Sequence, residues 1–83
     1  MQVTLKLFAL LSAYLPPGSS NHEAALDLPD DTTPAQVVAR LNLPQGLTHL
    51  VLVNGVYVPP NERTSLKLRH GDVLAIWPPV AGG

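Results

Sequence analysis

The chain has 83 residues, 46% of them hydrophobic and 13% charged, with a formal net charge of −1 and no cysteine. This describes one domain with enough apolar residues for a core, and it excludes a disordered segment, a disulfide scaffold, a cysteine nucleophile and thiolate metal sites. The five basic residues are scattered, so there is no electrostatic footprint for nucleic acid or an anionic membrane. The apolar runs are far short of a membrane span, and Lys6 interrupts the first. The start, Met1-Gln2-Val3-Thr4, lacks a basic region and a small-residue cleavage site, so no signal peptide is expected and the default location is the cytoplasm. A chain of this size buries only about 60–65% of its unfolded surface, which leaves apolar surface over for a partner.

Taken in order, residues 2–8 alternate polar and apolar, which predicts a strand with Val3, Leu5 and Leu7 on the core face. Ala9 to Leu15 fits a short helical turn, stopped by Pro16-Pro17-Gly18. After the polar turn Ser19-Ser20-Asn21-His22, residues 23–28 predict a second strand, paired antiparallel with the first. Pro29-Asp30-Asp31-Thr32-Thr33-Pro34 announces a helix: a Thr cap, Pro at the first helical position and acidic residues at its positive end. Val37, Val38 and Leu41 give that helix one apolar stripe, through about Asn42.

Leu50-Val51-Leu52-Val53 is apolar throughout, the pattern of a central strand buried on both faces. Asn54-Gly55 then predicts a tight hairpin, with Val56-Tyr57-Val58 as the return strand cut by Pro59-Pro60. Leu66 and Leu68 alternate with Lys67 and Arg69 in a brief extended piece, His70-Gly71-Asp72 turns, and residues 73–77 form the last strand. The layout is an α+β two-layer domain: a mixed sheet of four to five strands packed on one main helix.

Groups for catalysis are sparse. His22, His49 and His70 lie far apart, and none stands at the spacing of a helical metal pair. Asp30-Asp31 is explained as capping charge, the serines have no base at a motif spacing, and the glycines follow no phosphate-loop pattern. The chain is therefore not expected to be an enzyme on its own, and no bound cofactor or metal is expected.

The last residues, Trp77-Pro78-Pro79-Val80-Ala81-Gly82-Gly83, read differently. Body and tail divide at 1–76 and 77–83. Pro78 and Pro79 fix two φ angles and favour a stiff, extended spacer, and Gly82-Gly83 has no Cβ, so a narrow channel can close on its backbone. The carboxylate of Gly83 is inert as it stands. Converted to an acyl-adenylate it becomes an electrophile, and attack by sulfide gives a thiocarboxylate, a strong sulfur nucleophile.

The run from Gly71-Asp72 through Trp77-Pro78-Pro79-Val80-Ala81-Gly82-Gly83 resembles the closing stretch of the β-grasp sulfur-carrier family (MoaD/ThiS). Pro78-Pro79-Val80 before Ala81-Gly82-Gly83, and the Leu10 to Pro17 segment, are most similar to the small-subunit branch that serves molybdopterin synthase. Val53-Asn54-Gly55-Val56-Tyr57-Val58-Pro59 with Arg63 is also similar to the thiamine-pathway carriers. The resemblance implies a ubiquitin-like fold and adenylation of Gly83 by a ubiquitin-activating-like enzyme that uses ATP. It further implies delivery of sulfur inside the large catalytic subunit of molybdopterin synthase, in a heterotetramer, for molybdenum or tungsten cofactor synthesis. Ala81 departs from the Thr often found there. Alternatives are a carrier for thiamine thiazole synthesis, a ubiquitin-like modifier conjugated to lysines, and an interaction module with a merely flexible tail.

Alternation also separates the faces of the last strand. Leu74 and Ile76 are assigned to the core, which turns Trp77 outward at the root of the tail as an interface anchor. Phe8, on the outward parity of the first strand, extends the same patch. The expected partner-binding residues are thus Phe8, Trp77, Pro78, Pro79, Val80 and Ala81, and the reactive end is Gly82 and Gly83.

Overall fold

Period-two patterning puts Val3, Leu5 and Leu7 on one side of β1 (Gln2–Leu7), and all three are buried. The computed structural model describes residues 1–79 and sets β1 between two strands of opposite sense. It pairs antiparallel with β2 (Glu23–Asp27) and parallel with β5 (Val73–Trp77). On the far side of β5 lies β3 (Leu50–Val53), which also pairs antiparallel with β4 (Val56–Tyr57). The order β2-β1-β5-β3-β4 makes a mixed, five-stranded sheet.

One helix, α1 (Pro34–Arg40), covers the core face. Its residue Val37 is fully buried in the cluster that holds Leu5, Leu7, Leu11, Val51, Leu74 and Ile76. The helix starts on a capping box: the Thr33 hydroxyl accepts from the Gln36 N–H at 3.3 Å, and Gln36 Oε1 accepts from the Thr33 N–H at 2.9 Å. The cap is thus a Thr and Pro34 opens the helix, as expected, while the Asp30 carboxylate lies 3.9 Å from the Met1 ammonium.

The helix stops at Arg40, two residues short of the predicted end. Asn42 adopts φ +56°, its N–H bonds the Ala39 carbonyl, and the Leu43 N–H reaches back to Val38. These paired bonds form a Schellman closure with Asn in the left-handed position, and Leu43 is buried beneath it. Tighter 3-10 turns occupy Ala9–Tyr14, Gln45–Leu47 and Pro60–Glu62.

One strand reading is corrected. The central strand is β5, with β3 one place further out. Val51 is fully buried, yet Leu50 and Leu52 are half-buried, because among the described residues no second helix lies over the outer face of the sheet. The brief extended piece at 66–69 joins no strand of the sheet; the Leu68 side chain enters the core and its N–H donates to the Thr32 carbonyl at 2.8 Å.

The hairpin between β3 and β4 is tied to the entrance of β5. Asn54 and Gly55 have φ of +52° and +82°, the pair of positive angles a two-residue type I′ turn demands. Asn54 Nδ2 donates to Asp72 Oδ1 at 2.9 Å, and its Oδ1 accepts from the Val73 N–H at 2.9 Å. Asp72 Oδ2 in turn accepts from the Arg69 N–H at 2.8 Å, which closes the turn that Gly71 makes possible at φ +88°.

Candidate functional site

The root of the C-terminal segment is held from both sides. The Phe8 N–H donates to the Ile76 carbonyl at 3.3 Å from the β1 side, and the His49 N–H donates to the Trp77 carbonyl at 3.1 Å from the β3 side. Trp77, assigned to the tail from sequence, is the last paired residue of β5, opposite Leu50. Pro78 is buried and Pro79 exposed, so any spacer starts no earlier than Pro79; the pyrrolidine of Pro78 belongs to the body. Val80, Ala81, Gly82 and Gly83 lie outside the described residues.

Leu74 and Ile76 are fully buried on the helix side, and Trp77 points to the opposite face. There its indole lies on the Phe8 ring, centroids 4.1 Å apart and planes 5° from parallel. His22 stacks on Phe8 in turn, at 5.8 Å and 22°. Three rings from three separate stretches of chain thus form one slab at the ends of β1 and β5. His22 has no sequence signal for this role, because its place depends on the loop that returns from the 3-10 turn to β2.

Strand register continues the slab as an apolar strip. Leu50 sits directly beside Trp77, Leu52 beside Ala75, and Tyr57 beside Leu52 on the same face. Tyr57 is 49% exposed, whereas Ala75 in the middle of the strip is 8% exposed. The strip therefore offers a flat apolar surface that ends at the Trp77–Pro78 root.

Arg63 holds the segment before β3. Its Nε donates to the Val58 carbonyl at 3.0 Å, Nη1 to Thr48 at 2.9 Å and Nη2 to His49 at 3.1 Å. A planar five-donor fork suits such convergence of carbonyls, and a point-charge ammonium does not. Because His49 also bonds Trp77, Arg63 braces the tail root at second hand. The other imidazoles serve separate places: His70 Nδ1 accepts from the Gln2 N–H at 3.0 Å, far from the stack. Among the described residues no three His, Asp or Glu side chains converge to hold a metal, and no helix is long and apolar enough to cross a membrane.

A mixed five-stranded sheet with one main helix across it, its central strand leading to the C-terminal segment, defines a ubiquitin-like β-grasp domain. The ThiS family matches residues 5–83, and the chain belongs to that family of β-grasp sulfur carriers. Its whole length is similar to the HVO 2177 protein of Haloferax volcanii, at 27% identity and a TM-score of 0.77, covering 87% of that chain. SAMP1 from Haloferax volcanii matches at 25% identity and a TM-score of 0.68, with 100% of each chain covered. A chain from the complex of subunits 1 and 2 of molybdopterin-converting factor from Helicobacter pylori 26695 matches at 19% identity, a TM-score of 0.62 and 100% of each chain, a likeness of fold. None of the curated proteins compared with the chain matches it.

Proposed function

We propose that this chain carries sulfur on the carboxyl of Gly83 and donates it, as the small subunit of a molybdopterin synthase, to a pterin acceptor. The observation that carries the reading is the family match running through Gly83, on a chain whose central strand leads into that end. An adenylating partner supplies the activation. The Gly83 carboxylate attacks the α-phosphorus of ATP, pyrophosphate leaves, and a sulfide-level donor then displaces AMP from the acyl carbon. The product is a thiocarboxylate, whose sulfur attacks the acceptor inside the large subunit; hydrolysis of the acyl link returns the carboxylate. The chain itself contributes the carrier end and the docking strip around Phe8 and Trp77, acts in the cytoplasm and needs no cofactor of its own.

The Ala9–Tyr14 turn supports the molybdopterin branch, because it occupies the Leu10 to Pro17 stretch that is most similar to the small subunit. The thiamine-pathway reading draws on Asn54-Gly55 and Arg63, both of which hold the fold here through the turn and three backbone carbonyls. The carrier chemistry is tested by intact-mass measurement of protein incubated with ATP, an activating enzyme and a sulfur donor. Replacement of one oxygen by sulfur, lost on deletion of Gly83, is the expected result; isopeptide conjugates without sulfur loading would favour a modifier instead. Co-purification with a pterin-binding large subunit rather than a thiazole synthase identifies the acceptor.

A further inference from the structure

We propose that Asn54 is a latent deamidation site held unreactive by Asp72, and that its loss of ammonia unfastens the entrance of β5. Asn54 and Gly55 are both exposed, and a glycine N–H is the least shielded nucleophile a following residue can offer. The reaction needs only water. The Gly55 nitrogen bonds to Asn54 Cγ, the Cγ–Nδ2 bond breaks, and ammonia leaves with the proton from the Gly55 N–H. Hydrolysis of the resulting succinimide yields aspartate, or isoaspartate when the ring opens on the main-chain side.

The fold opposes the first step. Both heteroatoms of the Asn54 amide are committed away from Gly55, Nδ2 to Asp72 Oδ1 at 2.9 Å and Oδ1 to the Val73 N–H at 2.9 Å. Cγ cannot swing onto the Gly55 nitrogen until both bonds open, and one of them is to a charged acceptor, the stronger kind. The same contact makes the product harmful. A carboxylate at position 54 replaces a donor with a second negative charge against Asp72, and the Val73 N–H and Asn54 backbone are the first rungs of the β3–β5 end. Isoaspartate adds a main-chain methylene to the two-residue turn, whose type I′ geometry depends on its exact backbone length.

The test compares the full-length protein with a synthetic peptide spanning residues 51–59, at mildly alkaline pH. It follows the amide-to-acid mass gain on the fragment that contains Asn54. The folded protein should react at least about tenfold more slowly than the peptide, the factor that opening a hydrogen bond to a charged group implies. Asp72→Ala should bring the rate towards that of the peptide while circular dichroism remains native. Separately, Asn54→Asp should lower the melting temperature, and Asp72→Asn in that background should recover part of the loss. Equal rates in protein and peptide would overturn the proposal. So would a natively folded D72A as slow as the parent, or, should D72A not fold, an N54D whose loss D72N leaves unchanged.

Discussion

Phe8 and Trp77 lie face to face, 4.1 Å between centroids, although 68 residues separate them and neither enters the helix-covered core. The stack joins the end of β1 to the end of β5, the two strands that pair in parallel. One face of the Trp77 indole is therefore already occupied by Phe8. Offset or stacked aromatic pairs contribute about 0.5–1.5 kcal/mol beyond their burial. Urea unfolding of Phe8→Ala, Trp77→Ala and the double variant should show a coupling of that size. Additivity within about 0.3 kcal/mol would mean the rings are only neighbours.

Arg63 reaches three carbonyls from two segments, and one of those segments pairs with Trp77. Arg63→Ala leaves the Val58, Thr48 and His49 carbonyls to find water and should cost about 2–3 kcal/mol. A domain of this length has roughly 4–12 kcal/mol in total, so the loss will be plain in a denaturant midpoint. Arg63→Lys should recover less than half, because an ammonium cannot span all three acceptors. Full recovery would assign the effect to charge alone.

The parts of the fold that were legible in sequence are those set by neighbours along the chain. Leu5 and Leu7 declare their face by alternation, Thr33-Pro34 declares a helix start, and Asn54-Gly55 declares its turn. Strand order was less legible: the apolar run Leu50–Val53 suggested the central strand, yet that place falls to β5, whose Ala75 and Trp77 are covered by partners distant in sequence. Register does not show in composition. The same limit hid the bond between Asn54 and Asp72, 18 positions apart, and the arrival of His22 beside Phe8. Pro78 looked like the start of a spacer, because proline signals stiffness in sequence but says nothing of whether its ring is buried.

The helix over the sheet is only seven residues long, too short to stand without its ends. Thr33→Ala removes the acceptor for the Gln36 N–H and should cost about 1 kcal/mol, whereas Thr33→Ser should be near neutral. Thermal melts of the two variants check this directly. Equal losses would place the effect in the packing of the Thr33 methyl group, which is also buried.

Deletion of Gly83 separates the carrier end from the domain. Among the described residues, the five strands, the helix and the core from Val3 to Ile76 form the domain without drawing on the chain beyond Pro79. The shortened chain should therefore melt within about 1 °C of the parent, well inside the roughly 4–8 °C that 1 kcal/mol produces in a domain of this size. Sulfur loading by an activating enzyme should vanish, because a carboxyl one residue short cannot reach the same reacting atoms. Gly82→Ala keeps the length and adds one methyl group at the position where the proposed function has a partner's channel close on the backbone. Its loading or sulfur transfer should fall at least about tenfold, since small misplacements at a reacting centre are costly. Loss of loading together with a large fall in melting temperature would mean the end supports the fold. Undiminished loading without Gly83 would place the sulfur on another group altogether.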